Sequence, residues 1–286
     1  AIDRLGLEPL HDLQPRVNLS ESLARVPGVV AQTRQNYAQD LQVSIRGFGT
    51  RATFGIRGIR LIVDGIPATM PDGQGQAASF GLDTAQRIEV LRGPFSALYG
   101  NASGGVIQMF SAPAPEQPTV ATGLLGGSYG TTRTSLRYGG VHHAVDTTVS
   151  AARFGSDGYR DHSDVTRDTA STRLRWRTEA GTRVTLLADG LHQHDTQDPL
   201  GLTRTQWEQD PRQAGSGAEA FDTRKSIAHA QTGVTLERSL DADTSFSLTG
   251  YGGSRDVRQY LAFAGAGASQ SGGVIDLDRT FYGIDA

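Results

Sequence analysis

The second half of this sequence consists of long segments in which apolar and polar side chains alternate with a period of two. Across residues 172–177, threonine, leucine and tryptophan occupy the even positions and three arginines the odd positions. Residues 132–138 and 245–250 alternate in the same way. Because successive side chains of a strand point to opposite faces, this pattern predicts β-strands with one apolar and one polar face.

Eight segments follow the pattern, with strand lengths of about 10 to 14 residues. They are residues 119–127, 131–140, 144–155, 168–178, 182–194, 224–238, 243–256 and 274–284. This length suits a tilted strand that crosses a bilayer and exceeds the about 5 or 6 residues of a usual globular strand. Aromatic residues such as Tyr138, Phe154, Trp176 and Tyr251 are candidates for the membrane interface. A soluble antiparallel sandwich, whose strands also alternate, is the alternative.

Composition excludes several other classes of protein. No stretch approaches the roughly 18 consecutive apolar residues of a transmembrane helix, whereas membrane β-barrels are hydrophilic on average. The absence of cysteine removes disulfide scaffolds, cysteine nucleophiles and thiolate metal sites. A net charge of -3 gives no global electrostatic reason to bind nucleic acid, which is not an expected partner.

Residues 1–111 are organised differently, with short predicted strands and two short helices. Asn18 can cap a helix over residues 19–25, and Pro94 can begin another over residues 94–99. Strands are predicted at residues 41–46, 59–64, 87–91 and 106–110. The glycine-rich loops at residues 47–58 and 65–80 are long enough to indicate a functional role.

Three prolines in residues 111–118 separate this α+β unit from the alternating segments. Proline removes a ladder donor and stiffens the chain, so the stretch is typical of a linker or a strand entry. We therefore predict two domains, residues 1–117 and residues 118–286.

Three motifs in the first domain carry a family resemblance. They are LQVSIRGFG at residues 41–49, IVDGIP at residues 62–67 and RIEVLRGPFSALYGNASGGVI at residues 87–107. In this order they resemble the plug domain of TonB-dependent outer-membrane transporters. The resemblance implies an α+β plug domain followed by antiparallel transmembrane β-barrel strands. The chain is then a fragment of a plugged barrel of about 22 strands.

Five further segments resemble the receptor type of this family that is associated with uptake of pyrroloquinoline quinone. They are residues 36–40, 54–60, 66–76, 158–163 and 222–225. The expected function is thus active uptake of this quinone, with a ferric siderophore as the alternative cargo. A passive porin-like barrel and a soluble β-sandwich binding module are rival functions of other classes.

The resemblance also implies partners and a location. The expected protein is a monomer in the bacterial outer membrane that binds a small anionic ligand and contacts lipid. It is energised by TonB with the ExbB–ExbD complex through a short N-terminal segment. Residues 1–13 do not resemble such a TonB box, so that segment is expected outside this sequence. No enzyme activity, cofactor or metal is predicted.

Within the two glycine-rich loops, residues 50–57 and 67–80 resemble the apical plug loops that face the extracellular vestibule and touch substrate. The candidate ligand-binding residues are Arg51, Phe54, Arg57, Met70, Asp72, Gln74 and Gln76. Guanidinium and amide groups can bind carboxylates, and an aromatic ring can stack on a planar ligand. The alternative is that these side chains satisfy the loop backbone or pair with the barrel wall.

Other candidates lie in the barrel segments and in the plug motifs. Tyr159, Arg160 and His162 are candidate secondary ligand contacts, and Arg46, Glu89 and Arg92 are candidate latches between plug and barrel. Arginines at 133, 137, 153, 173, 175 and 177 are expected on the inner face. There they either attract an anion or, as we favour, pair with acids such as Asp64, Asp83 and Glu89. His192 and His194 beside Asp195 form a possible metal pair, although solvated histidines at a loop base are commoner.

Overall fold

The computed structural model describes residues 2–6, 14–33, 35–52, 55–100, 102–264 and 273–286. The first part contains β1 (Ile2–Gly6), α1 (Ser20–Leu23), β2 (Val29–Gln32), β3 (Gln42–Ile45), β4 (Ile59–Val63), β5 (Ile66–Pro67), a 3₁₀ turn (Ala77–Ser79), β6 (Ala85–Arg92), α2 (Ser96–Tyr99) and β7 (Gly105–Ser111). The second part contains β8 (Thr119–Gly126), β9 (Thr132–His142), β10 (Val145–Ser156), β11 (Val165–Arg177), β12 (Arg183–Gln197), α3 (Arg204–Gln209), β13 (Arg224–Ser239), β14 (Ser245–Tyr260) and β15 (Val274–Asp285).

The first part is built around a five-stranded sheet of order β1-β6-β7-β4-β5, beside the separate pair β2–β3. β4 and β7 are parallel, and the other neighbours in both sheets are antiparallel. Apolar side chains of these strands form one core with α1. Ile45, Ile59, Leu61, Ile88 and Ile107 are fully buried in it. Each such side chain stabilises the fold by about 1.5–3 kcal/mol, so this core fixes the frame on which the loops are mounted.

The helix predicted after Asn18 is present and is shorter than expected. Glu21 folds back and accepts hydrogen bonds from the backbone N–H groups of Arg16, Val17 and Asn18 at 2.8–2.9 Å. The Asn18 side chain accepts from the Ser20 N–H at 3.2 Å. These bonds satisfy donors that a helix start leaves unpaired, so the local sequence fixes where α1 begins.

The second part is one eight-stranded antiparallel sheet in which each strand pairs with its neighbours in sequence, from β8 at one edge to β15 at the other. All eight predicted strands are therefore present. Residues 143–144, 178–182 and 240–244 form short connections at one end, called here the turn end. Residues 127–131, 157–164 and 198–223 form connections at the opposite end, called here the loop end, and the last two are longer than any connection at the turn end. Alternating short and long connections are typical of membrane β-barrels.

The two faces of this sheet have opposite character, as the alternation predicted. Arg173 is buried against the first domain, to which it donates hydrogen bonds. On the opposite face Leu124, Leu136, Tyr282 and Ile284 are exposed. The arginine-bearing inner face thus lies against the plug-like first part, and the apolar outer face points away from it. No helix in the described ranges is long and apolar enough to cross a membrane.

Three residues depart from the expected faces. Tyr251, expected at a membrane interface, pairs in register with Gly233, which packs against Ile66 of the first domain, so Tyr251 lies on the inner face. Arg153, expected on the inner face, has a side chain 67% exposed on the outer face, where its Nε lies 3.2 Å from Asp168 Oδ1. Phe154, expected at a membrane interface, is buried with Val17 and Val165, and its ring centroid lies 5.1 Å from that of Tyr37. The phase of β10 turns Phe154 inward because it completes an apolar contact with the first domain, and alternation then forces Arg153 outward.

Candidate functional site

The two long loops of the first domain pack together as one unit. Ile56 and Gly75 exchange backbone hydrogen bonds, with N···O distances of 3.1 and 2.6 Å. Gly55 has φ of +62°, and a β-carbon there would lie 2.6 Å from Gln74 Cγ and 2.9 Å from the Gly75 carbonyl oxygen. Only glycine permits so close an approach in this backbone conformation. We refer to residues 50–57 and 68–76 together as the apical unit.

The charged candidates of the apical unit form a chain of contacts that reaches the inner wall. Arg57 Nη1 donates to the Asp72 carbonyl oxygen at 2.9 Å. The Asp72 carboxylate lies 3.9 Å from Arg57 Nη2 and 3.3 Å from Nη1 of Arg279 on β15. Arg51 is exposed, and Phe54 lies outside the described residues. Arg57 of the apical unit and Arg279 of the wall therefore share the Asp72 carboxylate, and Arg51 is a further exposed guanidinium group.

The uncharged candidates are closed off in this conformation. Met70 and Gln76 are buried, and so is Gln74, whose Oε1 accepts from Arg279 Nη1 at 3.1 Å. Gln74 thus contacts the wall, as the alternative interpretation of these residues expected. A ligand at the surface of the apical unit meets Arg51, Arg57 and Asp72 first.

A half-buried carboxylate, Asp40, joins the apical unit to the wall. It accepts from Lys225 Nζ on β13 at 2.6 Å and from the Gly55 N–H at 2.9 Å. Burial alone would raise the pKa of Asp40, but Lys225 and the Gly55 N–H outweigh it and hold the pKa below the ordinary value. Asp40 therefore stays ionised and links the apical unit to β13.

A second carboxylate, Asp198, lies at the loop end of the sheet and binds residues 36–40, the segment that contains Asp40. It accepts from Asn36 Nδ2 at 2.7 Å and from Gln39 Nε2. Gln193 Nε2 donates to the Tyr37 carbonyl oxygen at 3.0 Å. Residues 36–40 and 222–225 drew attention in the sequence by family resemblance alone. Their contact with each other and with Asp198 carried no sequence signal, because the three segments are far apart in the chain.

The candidate residues of the β10–β11 loop tie two loops together. Arg160 donates to the carbonyl oxygens of Pro199, Leu200 and Gln213 in the 198–223 loop. His162 Nε2 lies 2.9 Å from the Thr223 carbonyl oxygen. The Tyr159 ring stands edge-on to that of Tyr129, with centroids 5.3 Å apart, and is partly exposed. Of these three candidates, only Tyr159 presents a sizeable free surface for a ligand.

Below the apical unit, inner-face arginines bind the first domain. Arg133 Nη2 lies 2.6 Å from Asp83 Oδ1 in a pair that is largely buried. Arg167 donates to the carbonyl oxygens of Val17 and Ala78 at 3.0 and 2.7 Å. The favoured expectation that inner-face arginines pair with plug acids is met by Arg133 and Asp83. Arg167 and Arg173 show that backbone carbonyls are equally important partners.

The three predicted latch residues have contacts inside the first domain. Arg92 lies 2.6 Å from Asp3 and donates to the Pro27 carbonyl oxygen at 2.7 Å. Glu89 pairs with Arg87 at 2.8 Å. Arg46 is exposed, and its backbone N–H donates to the Gly28 carbonyl oxygen. A latch between plug and barrel stays a prediction for these residues, whereas the observed plug-to-wall contacts involve Asp40, Asp83 and Asp198.

The histidine pair lies on the outer face of β12. The ring centroids of His192 and His194 are 6.1 Å apart, and His194 Nδ1 lies 3.3 Å from Asp195. Among the described residues there is no group of three or more His, Cys, Asp or Glu that could hold a metal ion. Asp168 pairs in register with His192 on the same face, so the pair has carboxylate neighbours without forming such a group.

Comparison with known proteins identifies the first part of the chain. Residues 8–106 match the family described as TonB-dependent Receptor Plug Domain. The vitamin B12 transporter BtuB of Vibrio vulnificus (strain YJ016) is 32% identical over 146 residues, which are 48% of this chain and 22% of BtuB. Residues 8–106 are therefore similar to a TonB-dependent receptor plug domain, in agreement with the three motifs.

Solved structures share the fold across both parts of the chain. The ferric citrate transporter FecA in its unliganded form matches with a TM-score of 0.74 at 20% identity, over 91% of this chain and 40% of that chain. The ferric yersiniabactin uptake receptor FyuA from Yersinia pestis matches with a TM-score of 0.73 at 17% identity, over 99% and 44%. The fold is thus a plug domain followed by antiparallel strands of part of a barrel.

The chain spans less than half the length of each of these proteins. The three relatives are described as transporters or as an uptake receptor.

Proposed function

We propose that these residues belong to a monomeric outer-membrane receptor for TonB-dependent active uptake, with residues 1–117 as the plug and residues 118–286 as the first barrel strands. The observation that carries the proposal is a plug domain packed on the arginine-bearing inner face of a sheet whose outer face is apolar. In this orientation the loop end of the sheet is extracellular and the turn end periplasmic. TonB, energised by ExbB–ExbD, would pull on a segment N-terminal to the plug.

We propose pyrroloquinoline quinone as the cargo, bound at the surface of the apical unit. This ligand is planar and anionic. Arg57 and Arg279 offer guanidinium groups that share the Asp72 carboxylate, and Arg51 offers a further exposed one. Guanidinium groups bind carboxylates through charge-assisted, often bidentate hydrogen bonds. Arg57 and Asp72 would exchange their mutual contact for contacts with the ligand.

Calorimetry on the purified full-length receptor tests the cargo and the site together. We expect the quinone to bind, and Arg51→Ala or Arg57→Ala to weaken binding about tenfold, since a hydrogen bond to a charged group contributes about 1.5–3 kcal/mol. Arg153→Ala is the matched control, because Arg153 lies on the outer face. If the wild type binds the quinone and neither Arg51→Ala nor Arg57→Ala weakens binding, the binding site is not at the surface of the apical unit.

A ferric siderophore is the second candidate cargo. It is favoured by the likeness of the fold to FecA and FyuA, which are described as ferric citrate and ferric yersiniabactin receptors. Growth of a deletion strain separates the two cargoes. Loss of growth under iron limitation with quinone uptake intact would establish the siderophore. Uptake of either ligand that survives collapse of the proton gradient would instead indicate a passive barrel.

A further inference from the structure

The inner wall of β13–β15 carries a polar layer beneath the apical unit. His229 on β13 pairs in register with Arg255 on β14, which in turn pairs with Arg279 on β15. Because directly paired residues of neighbouring strands point to the same face, all three side chains face the plug. Gln231, two residues further along β13, shares that face.

Several polar atoms of this layer are buried without a hydrogen-bond partner. Arg255 is 1% exposed, and within the described part of the chain its Nε and Nη1 have no partner. His229 is 5% exposed and the same holds for both its ring nitrogens, as it does for Gln231 Oε1. A buried unsatisfied group costs about 1–3 kcal/mol, and more when charged. Groups retained at such a cost are candidates for a partner that arrives from outside the fold.

The charge around the layer is positive. Lys225, Arg255, Arg279 and the more exposed Arg57 supply four cations. Three carboxylates lie near them: Asp40 contacts Lys225, Asp72 contacts Arg57 and Arg279, and Asp189 pairs in register with Gln231. A surplus of buried or half-buried cations in a low-dielectric interface favours an anionic partner. The layer is thus suited to a carboxylate.

The layer is closed in this conformation by contacts above and below it. Above lie the Asp40–Lys225 ion pair and the Gln74–Arg279 hydrogen bond. Below, the Ile66 side chain of the plug fills the space over Gly233. A solute reaches Arg255 only after the plug has moved away from this wall. A substrate would therefore meet this polar layer only after it has bound at the surface of the apical unit.

We infer that Arg255, His229 and Gln231 form a second anion-binding site, on the route that a substrate takes between the plug and the wall of β13–β15. The ligand class is a carboxylate with an adjacent N–H or O–H group. The carboxylate accepts from Arg255 and from a His229 N–H, and the donor group bonds to Gln231 Oε1. The inference rests on the proposed uptake function and extends it by naming the side of the plug along which the substrate passes.

The test compares binding with transport in the full-length receptor. Arg255→Gln should leave the affinity for pyrroloquinoline quinone at the surface within about twofold and lower the saturated rate of energised uptake about tenfold. His229→Gln should likewise leave the affinity nearly unchanged and lower the rate of uptake, but by a smaller factor. Arg153→Gln, on the outer face, is the control and should change neither quantity. An unchanged uptake rate, or a loss of binding equal to the loss of uptake, overturns the inference.

A second measurement stays valid if the quinone is not the cargo. Residues 1–286 contain no cysteine, so Gln231→Cys introduces a single thiol in this part of the receptor. In energised cells an anionic methanethiosulfonate should label it about tenfold faster than a cationic one. The preference should vanish when Arg255→Gln is added. Equal rates, or no labelling by either reagent, overturn the anion site, whereas failure of the quinone to bind the wild type refutes only the proposed cargo.

Discussion

Asp40 connects the apical unit to β13 through its bonds to Gly55 and Lys225. Asp40→Asn keeps the shape of the side chain and removes the charge that Lys225 requires, so it should lower the free energy of unfolding by about 1–3 kcal/mol. Calorimetric unfolding of the full-length receptor measures the change. Glu116→Gln, in the exposed linker, is the control and should leave stability unchanged.

The Asp40 contact also predicts a pH dependence. The pKa of Asp40 in the folded protein is held below the ordinary value of 3.8, so its stabilisation is fully present above that value and is lost as pH falls through the lower folded pKa. The stabilities of wild type and Asp40→Asn should therefore differ at neutral pH and converge below pH 3.8. A difference that persists in acid would show that Lys225 does not depend on the charge of Asp40.

Gly233 predicts a steric test of how the plug fits the wall. A β-carbon at this position would lie 2.3 Å from Cδ1 of the buried plug residue Ile66. Gly233→Val should destabilise the packed plug by about 1–3 kcal/mol, the usual cost of overpacking. Ile66→Ala in the same chain should recover much of the loss, and a double-mutant cycle on unfolding free energies measures the coupling. Additive effects of the two changes would contradict the contact.

Among the elements, the 198–223 loop depends on contacts from a different loop. Arg160 caps three of its carbonyl oxygens, so Arg160→Ala should loosen the segment and raise its rate of proteolytic cleavage several-fold. Arg212→Ala is a matched control, because Arg212 approaches Tyr129 and Tyr159 at 5.8 Å without a comparable set of carbonyl contacts. Equal rates of cleavage in the two variants would show that Arg160 does not hold this loop in place.

The barrel-type strands could be predicted because apolar and polar side chains alternate with a period of two within each segment. The local pattern in residues 172–177 fixes both the strand and the face on which Arg173 lies. The plug elements were less visible: β1 and β2 are four or five residues long, and β5 has two. They form because Ile2 pairs with Leu91, Val29 with Ile45 and Ile62 with Pro67. No local sequence pattern predicts these pairings.

At the scale of the whole molecule, the apolar outer face predicts how the protein meets lipid. Val234 lies on this face of β13 and is 39% exposed. In the full-length receptor, Val234→Arg should destabilise the membrane-inserted barrel by about 2–4 kcal/mol at the bilayer midplane. Val234→Leu, which keeps the surface apolar, should cost little. Folding into lipid vesicles at increasing urea measures both, and tolerance of the arginine would place this row outside the hydrocarbon.

The sequence by itself determined the two-part organisation, all eight barrel-type strands, the inward arginine face and the plug motifs. Each of these rests on a pattern within one short segment or on a motif in chain order. The apical candidates were chosen from the sequence in the same way, because they lie in long glycine-rich loops, and their role in ligand binding stays a prediction.

Only the tertiary structure decided which candidates have partners and which are open to a ligand. Arg57 and Asp72 lie beside Arg279, some two hundred residues later, whereas Arg160 and His162 are engaged by loop carbonyls. Arg255 and His229 carry side-chain nitrogens that have no hydrogen-bond partner among the described residues, and no sequence pattern indicated this. Burial, ion pairing and the orphaned state of a polar atom are properties of contacts between distant segments. Packing of the plug on the wall creates them, and no local pattern contains them.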